Sequence, residues 1–177
     1  MASTSDERGT DRDRRYELGA RLIGRGAVWL GAIGVVTWPV SLLVVLATRG
    51  GGDRLLRAVL NDPRRRPWLF ALYAGGWLWS IVLALSGTAF LRGSNAGRRG
   101  LIGCALALAA VSVAGTAFNL TQMPAILASL PPPVPAWQRL YTDWTMNLAS
   151  LFLALAVAGS AIWLLTRPAV VERSGRS

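Results

Sequence analysis

Two apolar stretches of the chain each carry a stripe of polar residues that are spaced three or four positions apart. This spacing places each stripe on one face of a helix. The stripes consist of Ser112, Thr116, Asn119 and Gln122 in the earlier stretch and of Asp143, Asn147 and Ser150 in the later one. Because neighbouring spans run in opposite directions, Asn119 and Asn147 are predicted to lie at the same depth, with Gln122 and Asp143 level beyond them.

These stripes support two interpretations. In the first they form a polar pocket, in which Asp143 is the acid and nearby aromatic and basic side chains contact an apolar substrate or stabilise positive charge. Its candidate binding residues are Asn119, Gln122, Trp137, Arg139, Tyr141, Trp144 and Asn147. In the second, favoured interpretation the amides form hydrogen bonds between helices, which contribute roughly 0.6 kcal/mol each in a membrane.

The remaining composition excludes most catalytic machinery. The chain contains no His and a single Cys, Cys104, so the commonest general base and a multi-cysteine metal site are both missing. No phosphate-binding, zinc-protease or EF-hand motif is present, and no pair of carboxylates occupies an apolar stretch. We therefore predict no metal site and no cofactor, and we favour a protein that is not an enzyme.

The elements that carry these residues follow from four blocks without charged side chains. Of 177 residues, 53% are hydrophobic and 16% charged, against about 25% charged in soluble domains. The blocks are 26–48, 68–91, 100–123 and 144–166. Since roughly 20 apolar residues cross a bilayer as a helix, the sequence predicts an all-α integral membrane four-helix bundle, spanning 26–166, with antiparallel neighbours.

The segments outside the blocks are predicted as follows. Residues 1–15 are charged and predict a disordered tail; residues 16–25 predict either a short interfacial helix or a solvated lead-in. In the first connection, 54–61 predicts a short amphipathic helix that Pro63 terminates. The short connection 92–99 predicts a hairpin of the second and third spans, and 167–177 is predicted as a tail.

Pro39 lies near the middle of the first block. A proline within a membrane helix is tolerated when neighbouring groups satisfy the carbonyl that it frees. The hydroxyl residues nearest in sequence are Thr37 and Ser41, and we expect these to do so.

Charge predicts how the chain sits in a membrane. Every basic residue is an arginine, a usage typical of G+C-rich bacterial genomes. With both termini in the cytoplasm, the cytoplasmic segments carry twelve arginines and the external ones seven, which agrees with the positive-inside rule. The arginines are divided among both sides, so we expect contacts with lipid phosphate and no nucleic-acid binding.

Small residues predict where helices approach closely. They are Gly103, Ala107, Ala110, Ala114 and Gly115 in the third span and Ala154, Ala158 and Gly159 in the fourth, so these two spans are predicted to form the closest pair. The favoured function is a non-catalytic subunit, assembly factor or scaffold of the cell membrane that binds another membrane protein or a second copy. The alternatives are a small enzyme acting on an isoprenoid, quinone or polyketide, and an oligomeric exporter or pore.

Overall fold

The computed structural model describes residues 4–48, 54–64, 66–128 and 140–174, and within these ranges the chain is helical and contains no strand. The helices are α1 (Thr4–Ala47), α2 (Arg54–Asn61), α3 (Arg66–Leu91), α4 (Asn95–Thr121), α5 (Met123–Ala128), α6 (Trp144–Leu165) and α7 (Pro168–Ser174). A 3-10 turn, Leu140–Thr142, precedes α6.

Four of these helices, α1, α3, α4 and α6, are long and apolar enough to cross a membrane. They coincide with the four charge-free blocks, so the predicted all-α four-helix bundle is confirmed and the chain has the composition of a multi-pass membrane protein. The short helix expected in the first connection is α2, and it ends directly before Asp62 and Pro63. Helix α4 ends at Thr121, and Pro124, which has no N–H to donate, follows it within α5.

The N-terminal part of the chain differs from the prediction. Residues 4–15, expected in a disordered tail, and residues 16–25 all belong to α1, which is 44 residues long. Within α1, Glu17 and Arg21 form an ion pair at 4.0 Å. A helix of this length measures about 66 Å, so only about half of it is needed to cross the hydrocarbon layer.

Side chains near both ends of the chain pack together, and this explains the extra helices. Ala20 is 2% exposed and Val170, on α7, is 3% exposed. The ring of Tyr16 meets Trp163 edge-on at 5.6 Å between centroids, and the Arg167 guanidinium lies 3.8 Å from the Trp163 ring centroid. Residues 168–174, expected in a C-terminal tail, are therefore helical; residues 175–177 lie outside the described part.

The contacts divide the chain into two units, and each long helix contributes to both. The first unit comprises the residues up to Gly34, Trp79–Leu106 and those from Val157 onwards. Its core contains Ala27, Leu83, Leu101, Cys104 and Leu165. Glycines bring α1 and α3 together here: a Cβ on Gly31 would lie 2.6 Å from the Ala84 nitrogen, and one on Gly87 would lie 2.8 Å from the Gly24 oxygen.

Helices α3 and α4 form the predicted tight hairpin. Gly93 has φ 90°, in the left-handed region that favours glycine. Its N–H donates to Phe90 O at 2.9 Å, and Ser94 N–H donates to Ala89 O at 3.0 Å, which is the Schellman arrangement of a helix C-terminus. After the turn, Arg98 donates to Leu165 O at 3.2 Å and so links the start of α4 with the end of α6.

The second unit comprises Val35–Leu78 and Ala107–Ala156. Here α1 remains helical through Pro39. The indole Nε1 of Trp77, on α3, donates to Val35 O at 3.1 Å, and Val35 is the residue whose carbonyl Pro39 leaves without a helical donor. Thr37 and Ser41 were expected to donate to the carbonyl that Pro39 frees. The donor is instead Trp77, whose indole reaches this carbonyl from the facing helix.

Of the small residues predicted to join the third and fourth spans, Ala158 is buried, whereas Ala107, Ala110 and Ala114 are exposed. The glycines that lie against a facing backbone are Gly31 and Gly87, between α1 and α3, and Gly97, between α4 and α3, whereas a Cβ added to Gly103, Gly115 or Gly159 would meet no atom within 4 Å. In the second unit, α4 and α6 are instead joined by polar side chains.

Candidate functional site

The two predicted asparagines meet in the second unit. Asn119 lies two positions before the end of α4, and Asn147 lies in the first turn of α6. The Asn119 Nδ2 donates to Asn147 Oδ1 at 3.0 Å. Asn147 is 5% exposed, so its side-chain amide is buried. The amide oxygen accepts its hydrogen bond from the facing helix α4. The sequence therefore placed the two residues at the correct relative depth.

Asp143 is the N-cap of α6. Its Oδ1 accepts the Met146 N–H at 2.9 Å, which satisfies one of the amides that a helix start leaves without an intrahelical partner. Its backbone oxygen accepts Asn147 Nδ2 at 2.8 Å. Ser150 Oγ in turn donates to Asn147 O at 2.9 Å. The polar stripe of α6 is therefore bonded to its own helix and to Asn119.

The remaining candidate residues are distributed around this network. Gln122 and Trp144 are exposed, and no contact of their side chains joins them to the asparagine pair within the described residues. Trp137 and Arg139 lie outside the described part of the chain, as does the side chain of Tyr141. Of the residues predicted to line a pocket, the described part of the structure thus joins Asp143, Asn119 and Asn147 by hydrogen bonds.

Chemically, the arrangement favours the structural interpretation. The nitrogen and the oxygen of the hydrogen bond that joins α4 to α6 belong to amides, which neither donate nor accept a proton in general acid–base catalysis. Asp143 is exposed, and its carboxylate already serves as a helix cap. Among the described residues, no group of three His, Cys, Asp or Glu side chains could hold a metal ion.

A second feature is an exposed face of α4 made of alanines. Ala107, Ala110, Ala114 and Ala117 follow one another at three, four and three positions, and all four are exposed. We call this the alanine face. The larger Val111, 67% exposed, stands beside it. Three of these alanines were predicted to contact the fourth span; Ala117 was missed, although the same spacing identifies it.

A third feature is a groove lined by aromatic rings, which the sequence did not predict as a site. It lies in the second unit and has a volume of about 350 Å³. Its walls are Trp38, Pro39, Leu42, Phe70, Tyr73, Ala74 and Trp77. We call it the aromatic groove. The spacing of Phe70, Tyr73 and Trp77 places these residues on one face of α3. Which residues of α1 complete the groove becomes apparent only once the helices are packed together.

Compared with known protein families, with curated proteins and with solved structures, the chain matches none of them.

Proposed function

We propose that this chain is a non-catalytic membrane component that binds a transmembrane helix of another protein chain through the alanine face of α4. The observation that carries the proposal is the exposure of four alanines at heptad spacing on a helix that is apolar enough to cross a membrane.

The physics of helix association in lipid supports this. Lipid tails are as apolar as leucine, so burial of hydrophobic area gives helices little reason to associate. Association relies instead on close packing, which small residues permit because two backbones can then approach. Within the chain, glycines serve this purpose between α1 and α3. The alanine face offers the same kind of surface with no described partner on it.

The polar network supports the absence of catalysis. Asn119 donates a hydrogen bond to Asn147, and Asp143 caps α6. These are the contacts of residues that hold a fold together. An enzyme acting on a lipid-soluble substrate would need the Asp143 carboxyl to exchange a proton, so substitution of that residue separates the two functions.

The proposed location is the cell membrane, with both termini in the cytoplasm. This assignment follows from the arginine counts of twelve and seven and the positive-inside rule. In this orientation the α3–α4 hairpin, with Arg92, Arg98 and Arg99, is also cytoplasmic, while α2 and the start of α3 are external. The expected lipid contacts are with anionic headgroups.

The test is co-purification of the tagged full-length chain from its native membrane, followed by identification of the bound chains. The perturbing variant is Ala110→Leu, which places a large side chain in the centre of the alanine face. The control is Val111→Leu, which enlarges a neighbouring exposed side chain on the same helix. We expect Ala110→Leu to lower recovery of the partner about tenfold, which corresponds to about 1.4 kcal/mol, and Val111→Leu to leave it unchanged.

The partner can be a different membrane protein or a second copy, and the masses of the co-purified chains distinguish these. Equal recovery of the partner with both variants, at equal accumulation of the chain, would refute the proposed role of the alanine face.

A further inference from the structure

We propose that the aromatic groove binds one hydrocarbon chain of an anionic phospholipid, whose phosphate contacts Arg66. This site is separate from the alanine face and does not depend on the function proposed for that face.

Charge at one end of the groove indicates the headgroup. The Arg66 guanidinium carbon lies 5.8 Å from the centroid of the Phe70 ring, and Phe70 forms part of the groove wall. Arg66 is exposed and begins α3. In the sequence, Arg57 and Arg64 precede Arg66, with Asp62 as the acidic residue between them. An arginine beside an apolar groove complements a phosphate with an attached chain.

The distance from Arg66 to the far end of the groove fits one lipid chain. Arg66 and Trp77 are eleven positions apart on α3, which corresponds to about 16 Å along a helix. The hydrocarbon core of a bilayer is about 30 Å thick, so this distance is close to the depth of one leaflet. A headgroup at Arg66 would therefore place its chain along the whole groove as far as Trp77.

The walls of the groove are held in place by contacts within the chain. Trp38 meets Tyr73 edge-on, with ring centroids 5.6 Å apart, and Trp38 also lies against the position where a Cβ of Gly76 would be. The Trp77 indole is fixed by its hydrogen bond to Val35 O. A largely preformed apolar site of this kind is typical of small-ligand binding.

The same rings disfavour a transmembrane helix as the occupant. Helices in lipid associate where small residues let backbones approach, and five of the seven lining residues are Trp, Phe, Tyr or Leu. A flexible hydrocarbon chain can enter between such rings, whereas a helix backbone cannot come close to them.

The experiment is native mass spectrometry of the full-length chain in detergent, titrated separately with phosphatidylglycerol and phosphatidylcholine. The unmodified protein should retain one phosphatidylglycerol. Ala74→Leu fills the groove and should lower the apparent affinity at least tenfold, whereas Ala71→Leu, on the same helix outside the groove, should leave it unchanged. Arg66→Gln should reduce the preference for phosphatidylglycerol about fivefold, and Arg99→Gln should not.

Circular dichroism of each variant reports whether the helices form, and Ala74→Val offers a smaller change should Ala74→Leu fail to fold. Equal lipid retention by the protein and its Ala74 variants would overturn the groove as the binding site. Equal affinity for the two lipids would overturn the role of Arg66. If the spectra showed a dimer of the chain in place of the lipid-bound monomer, and if the Ala74 variants lost that dimer, the groove would be a dimer interface and the proposal would be overturned.

Discussion

The hydrogen bond from Trp77 to the Val35 carbonyl makes a prediction that a double-mutant cycle can test. Pro39 removes the helical donor to Val35 O, and the Trp77 Nε1 replaces it at 3.1 Å. We expect that Trp77→Phe destabilises the protein, because the aromatic ring is retained in part but the carbonyl loses its donor.

The expected magnitude follows from measured hydrogen bonds between membrane helices, which average about 0.6 kcal/mol and reach about 1.7 kcal/mol. We expect a value near the upper end, about 1.5 kcal/mol, since the proline leaves this carbonyl no helical alternative. In a Pro39→Ala background, the amide N–H at position 39 can donate to Val35 O. There, Trp77→Phe should cost less than about 0.5 kcal/mol, so the two substitutions should be coupled by about 1 kcal/mol.

The assay is equilibrium unfolding of the full-length chain in mixed micelles with increasing sodium dodecyl sulfate, followed by circular dichroism. Any effect of the smaller ring volume is common to both backgrounds and cancels in the cycle. Trp68→Phe serves as the control, since Trp68 is 77% exposed, and it should change stability little in either background. An equal cost of Trp77→Phe with and without Pro39 would refute the assignment of the indole as the replacement donor.

Three further predictions concern other contacts. Gly31→Ala should destabilise the fold by about 1–3 kcal/mol in the same unfolding assay because its Cβ would clash with the α3 backbone, whereas Gly26→Ala, with open space around it, should not. Asp143→Ala should cost about 1 kcal/mol in that assay and Asp143→Asn much less, since asparagine is also a good N-cap; loss of a cellular phenotype in Asp143→Asn at normal accumulation would instead indicate an acid. Asn119→Cys with Asn147→Cys, in a Cys104→Ser background, should react with a short thiol crosslinker and shift the gel mobility of the monomer; absence of the shift would contradict the α4–α6 contact.

Much of the fold could be predicted because its causes are local in the sequence. The four charge-free blocks determine the long helices, and Pro63 determines where α2 ends. That Asn119 and Asn147 lie opposite each other follows from the lengths of the two helices and their antiparallel direction alone. The Gly93 turn likewise has a short-range cause, since a left-handed residue is needed directly after α3.

The rest depends on residues that are distant in the sequence. The helical state of residues 16–25 and 168–174 is accompanied by the burial of Ala20 and Val170, which composition does not reveal. The donor for Val35 lies 42 positions away. Small residues in the third span resemble those of a packed interface, yet Ala107 and Ala114 are exposed, so the pattern identifies a close-packing surface without identifying what covers it.

The central claim is that α1, α3, α4 and α6 each cross a membrane, and cysteine labelling in sealed vesicles tests it most directly. In a Cys104→Ser background, single cysteines are introduced by Ser5→Cys, Asn61→Cys, Ser94→Cys or Ser177→Cys and treated with a membrane-impermeant maleimide before and after permeabilisation. We expect Ser5→Cys, Ser94→Cys and Ser177→Cys to react from one side of the membrane and Asn61→Cys from the other. Reaction of Asn61→Cys and Ser94→Cys from the same side would contradict it.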